Sequence, residues 1–372
     1  MVTTKNIIMK KDQIINVTVI GAGIVGSSTA LHLTNLGYKV SLIDPQQQKI
    51  IRQSATLNGS QASLGILMGY VYRRAKGRGW KLRQRSMELW PQVIDQINTH
   101  EKPIQIKTPL VQLATSSDEF QAIEKVVEAK SSYGVELLNT ASIKYFTDIL
   151  ERKQYGGLIS HHDGRIEPIN ILKSIIEKLK KYGVRIIEKK VISLNRNSQK
   201  KYWDVYFDEG KIRNQDVIVI CSSLGTEKLL NPLGYSIKLE PILGQVLELE
   251  YKSKDIEYEK WPAVLSTQGF NLIIEKENRI LVGATLEPGV TASLNYKKKV
   301  HNLNNYAPNW LKDSSIKSSW YGIRAKPINQ ASPILETLEP GLIINSGHYR
   351  NGILLAPACA EWVGIEINKC LI

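Results

Sequence analysis

Residues 16–31 read Asn-Val-Thr-Val-Ile-Gly-Ala-Gly-Ile-Val-Gly-Ser-Ser-Thr-Ala-Leu. The first part, from Ile15 to Ile20, is β-branched and almost wholly apolar, the pattern of a strand buried on both faces. Gly21, Gly23 and Gly26 follow at once. The run from Gly23 to Leu36 has helical spacing and stops at Gly37, a natural helix C-cap. Tyr38–Ile43 is a second apolar strand, closed by Asp44. This strand, glycine turn, helix and strand form a dinucleotide-binding unit. The first glycine permits the tight turn, the second lets the backbone approach a pyrophosphate, and the third lets helix and strand pack closely. The helix N-terminus offers unpaired N–H groups and partial positive charge to phosphate. Asp44, 18 residues after Gly26, stands where a carboxylate accepts from ribose hydroxyls.

Outward from this unit the same alternation returns twice. Pro168 opens a helix running to about Tyr182, with strands expected at Val184–Ile187, Val191–Leu194 and Trp203–Phe207. Asp216–Ile220 reads as another buried strand. Gly341–Asn345 leads through Gly347-His348-Tyr349-Arg350-Asn351-Gly352 into a final helix, Ile353 to about Cys370. Between these lie a helix at Trp80–Asn98 interrupted near Pro91, a strand at Leu110–Ala114, a helix at Glu119–Ser131, several strands from Leu239 to Thr285, and a strand at Ile316–Arg324. The expected fold is α/β. A Rossmann-like nucleotide domain comes from residues 1–80, 157–225 and 325–372, and an antiparallel-sheet domain from 81–156 and 226–324 is inserted into it.

At 372 residues the chain is long enough for about two domains. It is 42% hydrophobic and 23% charged, which excludes a disordered chain, a collagen-like repeat and a coiled coil. Three scattered cysteines, Cys221, Cys359 and Cys370, make no disulfide framework and point to a reducing compartment. Met1–Gln13 is polar and lacks a signal-peptide core, so a cytoplasmic place is expected. Neither a CxxC pair nor an HExxH helix offers a metal site, and no metal is expected. His161 and His162 read as polar residues leading into the turn at Asp163–Gly164.

The chain resembles the flavin-dependent amino-acid oxidases of the D-amino-acid oxidase superfamily, most of all the bacterial glycine oxidases of thiamine synthesis. The matching stretches are Val17–Asp44, Asn58–Gly65, Asp163–Pro168, Asp216–Ser223, Pro241–Gln245, Ile280–Gly289, Trp320–Arg324 and Gly347–Pro357. The resemblance implies noncovalent FAD. Ile24 and Val25 would meet the pyrophosphate, Asp44 the adenosine ribose, and Val191 the adenine. Gln61, Ala62 and Ser63 would face the flavin side. His348, Tyr349, Arg350, Asn351, Gly352, Ile353 and Leu354 would wrap the isoalloxazine. Arg324 matches the arginine that pairs with the substrate carboxylate, a bidentate task suited to guanidinium. Arg350 matches a second arginine at the substrate face. Asn271 occupies the position of a tyrosine that usually helps to hold that carboxylate, and Arg324–Ala325 replaces the usual Arg-Pro. Catalysis would then be hydride transfer from Cα to flavin N5, with no general base and no catalytic side chain.

The implied reaction is oxidative deamination of a small amino acid or secondary amine such as glycine, sarcosine or a D-amino acid, giving an imino acid and then a keto acid. The acceptor would be O₂, yielding hydrogen peroxide, or a quinone, and a homo-oligomer is compatible with the sequence. The net charge is +14, and seven basic residues crowd into Arg73–Arg85: Arg73, Arg74, Lys76, Arg78, Lys81, Arg83 and Arg85. This run reads as a solvated loop and helix face near the substrate entrance. Anionic lipid, and hence a membrane-peripheral place, or RNA phosphate are the other readings. Two alternatives accompany the oxidase: a tRNA wobble-uridine (carboxymethylaminomethyl) oxidase, and a flavin-binding subunit without turnover.

Overall fold

Strand Asn16–Ile20 pairs in parallel with Lys39–Ile43 on one side and with Val217–Ile220 on the other. The sheet continues with Arg185–Ile187 at one edge and Leu342–Ser346, then antiparallel Ile334–Glu339, at the other. In this computed structural model the described residues are 14–46, 56–99, 103–197, 202–252, 256–292 and 295–371. The expectation for Met1–Gln13 falls outside them.

The two-residue period of a strand decides which layer each side chain joins. Val17, Val19, Val217, Val219 and Ile343 enter a core shared with helices Ile24–Asn35, Arg78–Ile97, Pro168–Lys181 and Gly352–Leu371. Ile20, Ile218, Ile220, Leu342 and Ile344 enter a second core, against a three-stranded antiparallel meander of Val191–Asn197, Tyr202–Phe207 and Lys211–Gln215. Each such fully buried aliphatic side chain contributes roughly 1.5–3 kcal/mol. The polar exception, Thr18, donates to Gln215 Oε1 at 2.8 Å.

A larger mixed sheet holds the strand-rich remainder. Its order is Thr56–Leu57, Ser315–Pro327, Leu239–Glu250, Arg279–Gly283, Phe270–Lys276, Val264–Thr267, Leu110–Ala114, Gly156–Ser160 and Val135–Leu137, with Glu287–Pro288 beside Leu239–Glu250. Most pairs are antiparallel; Val264–Thr267 runs parallel to Leu110–Ala114, and Ser315–Pro327 parallel to Thr56–Leu57. Gly156–Ser160 therefore lies in this sheet, and Ser315–Pro327 runs through position 325, where the sequence reading changes segment. Helix Arg78–Ile97 is continuous through Pro91, whose exposed position lets water meet the carbonyl it leaves unpaired. The stripe Met87, Trp90, Ile94 and Ile97 buries that helix in the core of the six-stranded sheet's helical layer. The helix Thr140–Ile149, capped by the Asn139 side chain, has no counterpart in the sequence reading.

Candidate active site

A cleft of about 1190 Å³ runs from the end of strand Lys39–Ile43 to the long strand Ser315–Pro327. Gly21, Gly23, Ile24, Val25, Asp44 and Val191 line one end; Arg324, Asn271 and Arg350 line the other, with Ala62, Ser63 and His348–Leu354 along the walls. Two of the residues singled out from sequence do not face it. Gly26 is a packing glycine: a Cβ there would overlap the Gly21 carbonyl. Gln61 is buried, its N–H donating at 2.9 Å to Asn58 Oδ1, which caps the short helix Gly59–Ala62.

The glycine turn is built as its residues require. Gly21 has φ +102°, a conformation open to glycine, and a Cβ on it would collide with the Cys221 carbonyl. Asp44 knots the turn to the second strand: its Oδ2 accepts from Ala22 N–H at 2.9 Å and its Oδ1 from Gln46 N–H at 2.8 Å. Helix Ile24–Asn35 begins without a side-chain cap and without an acid in its first turn. Ser60 Oγ accepts the Ile24 N–H at 2.9 Å, a contact that residue type alone did not announce. A glycine cradle, an uncapped helix start on the cleft and a carboxylate at the strand end suit a dinucleotide with its pyrophosphate at the helix. Helix Gly352–Leu371 also starts on the cleft with no acid in its first turn. A developing negative charge beside it would be stabilised.

At the far end the charges are lopsided. Arg324 Nη1 donates to the carbonyls of Thr285 at 3.1 Å and Leu243 at 3.4 Å, leaving Nη2 and Nε for a ligand. Among the described residues neither Arg324 nor Arg350 has a carboxylate partner. Burial, then the neighbouring Arg350 charge, pull the Arg324 guanidinium down to about 10. Gly244 makes room for it, since any Cβ there would overlap the guanidinium. Asn271 donates from Nδ2 to the Gly283 carbonyl at 3.3 Å, and its Oδ1 is buried without a partner among the described residues. His348 is buried, with Nε2 likewise unpartnered, and desolvation first, then Arg78, drop its pKa to about 3, so the ring is neutral. Tyr349 takes φ +52° and donates its N–H to Ala325 at 3.1 Å, joining the last loop to the Arg324 strand. Leu354 is tied through its carbonyl to Trp90 Nε1 at 3.1 Å.

The basic run does not behave as one solvated face. Arg83 is 8% exposed and lines the cleft, donating to the Met68 carbonyl at 2.7 Å and to Asn351 Oδ1 at 2.9 Å. The signal was present in the sequence: position 83 falls on the same helical stripe as Trp80, Met87 and Trp90. Arg78 reaches the Pro333 carbonyl, and Arg85 pairs with Glu361 and Glu88. Arg73 and Arg74 stay exposed, on the rim of the cleft. His161 lies 3.6 Å from Glu136 and His162 meets Tyr70 edge to face, so both serve the turn.

The profile of the family described as FAD dependent oxidoreductase (DAO) matches residues 16–364. The chain is a member of this family. It is an FAD-dependent oxidoreductase. It is 24% identical over 358 residues to the bifunctional protein ThiO/ThiG of Synechocystis sp., covering 94% of this chain and 51% of that protein. The chain thus spans about half the length of the bifunctional relatives it matches. Against the glycine oxidase of Bacillus subtilis the identity is 22%, over 94% of this chain and 92% of the relative. The crystal structure of glycine oxidase from Geobacillus kaustophilus superposes with a TM-score of 0.81 at 19% identity, covering 95% and 94% of the two chains. Iminodiacetate oxidase from Chelativorans sp. superposes at 0.78 with 19% identity, covering 95% of each chain. These likenesses establish the fold. No helix among the described residues is long and apolar enough to cross a membrane.

Proposed function

We propose that the protein oxidises a small amino acid or secondary amine bearing a carboxylate. The observation that carries this reading is the pair Arg324 and Arg350, two guanidiniums at one end of the cleft with no carboxylate among the described residues to answer them. The charge of the exposed Arg350 acts against that of the half-buried Arg324, and an incoming carboxylate relieves both. Arg324, pinned through Nη1, presents a planar fork in a fixed direction, so the substrate's Cα is oriented as it binds. Bound FAD supplies the acceptor for the hydride leaving Cα and passes the two electrons to O₂ or a quinone. The amine nitrogen loses a proton to water as the C=N bond forms. Water then hydrolyses the imine to a keto acid and ammonia or amine.

The neutral His348 ring adds no further positive charge beside the arginines. In this reading the six-stranded-sheet half binds the cofactor, the larger sheet supplies Arg324 and Asn271, and a cytoplasmic site of action follows the thiol content. The test is anaerobic bleaching of the holoenzyme by glycine, sarcosine, a set of D-amino acids, and D- and L-proline. Bleaching by at least one supports the proposal; a flavin spectrum unmoved by all of them, with FAD bound, overturns it.

A further inference from the structure

Among the described residues five arginines line the cleft, Arg73, Arg74, Arg83, Arg324 and Arg350, and Asp44 at the opposite end is the only acid that does. They belong to one neighbourhood. The Arg83 guanidinium lies 4.1 Å over the ring of Tyr72, next in sequence to Arg73, and is bonded to Asn351, next to Arg350. Arg350 in turn acts electrostatically on both Arg83 and Arg324. Arg83 is committed to the Met68 carbonyl and Asn351. The other four have no carboxylate partner among the described residues. One substrate carboxylate, gripped by Arg324 and Arg350, leaves Arg73 and Arg74 unanswered.

These two are presented by a loop that is fastened, not free. Its base, Gly69, Tyr70 and Val71, donates three backbone N–H groups to the fully buried Asp163 carboxylate, at 2.7 to 3.1 Å. Its crest is met by Lys130, itself 1% exposed, whose Nζ reaches the Arg74 carbonyl at 3.5 Å and sits over the Trp80 ring. A buried carboxylate and a buried ammonium, both committed to the backbone of this loop, fix the backbone from which Arg73 and Arg74 reach the rim of the cleft.

We propose that the substrate carries a second anionic group, a carboxylate on its side chain or on its amine substituent, received by Arg73 and Arg74 while Arg324 and Arg350 hold the first. This deepens the amine-oxidation reading and rests on it. Paired guanidiniums fit a carboxylate by planar hydrogen bonding, and a rim position also steers an anion inward.

Matched substrates isolate the second charge: sarcosine against iminodiacetate, and D-alanine against D-aspartate, each pair differing by one carboxylate. The expected result is a kcat/KM for anaerobic flavin reduction at least tenfold higher for the dicarboxylate in one of these pairs at low ionic strength. That advantage should shrink at least tenfold in the R73Q/R74Q double variant and also with added salt. A second readout needs no turnover: malonate should perturb the flavin absorbance of the holoenzyme at lower concentration than acetate, and the double variant should erase the difference. Equal or better reduction by the monocarboxylates, malonate no tighter than acetate, or a variant that lowers both members of a pair in proportion overturns the subsite. So does a double variant whose only loss is retention of RNA at low salt. If no amine bleaches the flavin, the amine-oxidation reading fails, while the malonate and acetate titration still decides whether the subsite exists.

Discussion

Arg324 is useful because it has carbonyl partners but no carboxylate partner among the described residues. Replacing it with lysine keeps the charge and loses the fork. FAD should stay bound while kcat/KM falls by roughly tenfold to 150-fold, the equivalent of about 1.5–3 kcal/mol for a hydrogen bond to a charged group. Stopped-flow reduction alongside the flavin content of the purified variant checks this. Gly244→Ala should act on the same guanidinium from behind, because the new methyl occupies its seat. The expected outcome is at least about a tenfold loss of kcat/KM with FAD retained. His348 makes a different prediction. Its folded pKa of about 3 is below the unfolded value of 6.5, so the folded state binds fewer protons. Its contribution is therefore fully present above pH 6.5 and is lost as pH falls from there towards 3, at up to about 1.4 kcal/mol per pH unit. Denaturant midpoints measured across that window should decline less steeply in His348→Gln than in the wild type. Legibility in the sequence follows the same divide at this scale. Arg324, Arg350 and Asp44 could be found because motifs hold them in register. Arg83 was open to discovery through its place on the buried helical stripe, whereas Ser60 and Gly244 could not be found by residue type, since what defines each is a neighbour far away in the chain.

Elements assembled by short-range rules were readable in the sequence, and those assembled by strand order were not. The first strand, helix and second strand, the proline-started helix Pro168–Lys181 and the closing helix Gly352–Leu371 follow from glycine placement, capping and apolar periodicity. The parallel pairing of Val264–Thr267 with Leu110–Ala114 joins segments about 150 residues apart, and no local pattern encodes such a partner. Asp163 shows how a loop becomes an element in its own right. From sequence it opened a turn; in the fold its carboxylate also accepts from Ser160 Oγ and organises residues 69–71. Asp163→Ala leaves several buried donors unpaired and should cost at least about 2 kcal/mol, since each abandoned buried group carries about 1–3 kcal/mol and such costs are not additive. A thermal midpoint lowered by several degrees, together with earlier proteolysis between residues 69 and 77, is the expected signature.

Over the whole molecule, the cofactor cleft lies between two sheets, so ligand binding should register in global stability. Cys221, which lines the cleft, has its thiol pushed up to about 12 by burial. A neutral thiol is a poor nucleophile, consistent with flavin held without a covalent bond. FAD added to stripped protein should raise the melting temperature logarithmically with its concentration, by an amount equivalent to about 4 kcal/mol at a thousandfold excess over Kd, and NAD should not. Acid precipitation should leave the yellow colour in the supernatant. The long paired strands Leu239–Glu250 and Ser315–Pro327 add a mechanical consequence. Near one end Ala325 and Leu239 are packed with Ile220 and Ile344 behind the nucleotide-binding sheet, and further along Leu247 and Leu249 are packed with Tyr251 and Trp261 in the core of the larger one. One ribbon, irregular only at Glu248–Leu249 inside the larger half, is thus spliced into both halves, and it leaves no fulcrum between them. Closing like a clamshell would tear ladder bonds across the ribbon, so traffic into the cleft belongs to the rim loops. Hydrogen exchange should find the amides of both strands opening together, as slowly as the molecule unfolds and slowed by substrate only as far as global stability rises, while those of residues 72–77 open locally and answer to substrate beyond that.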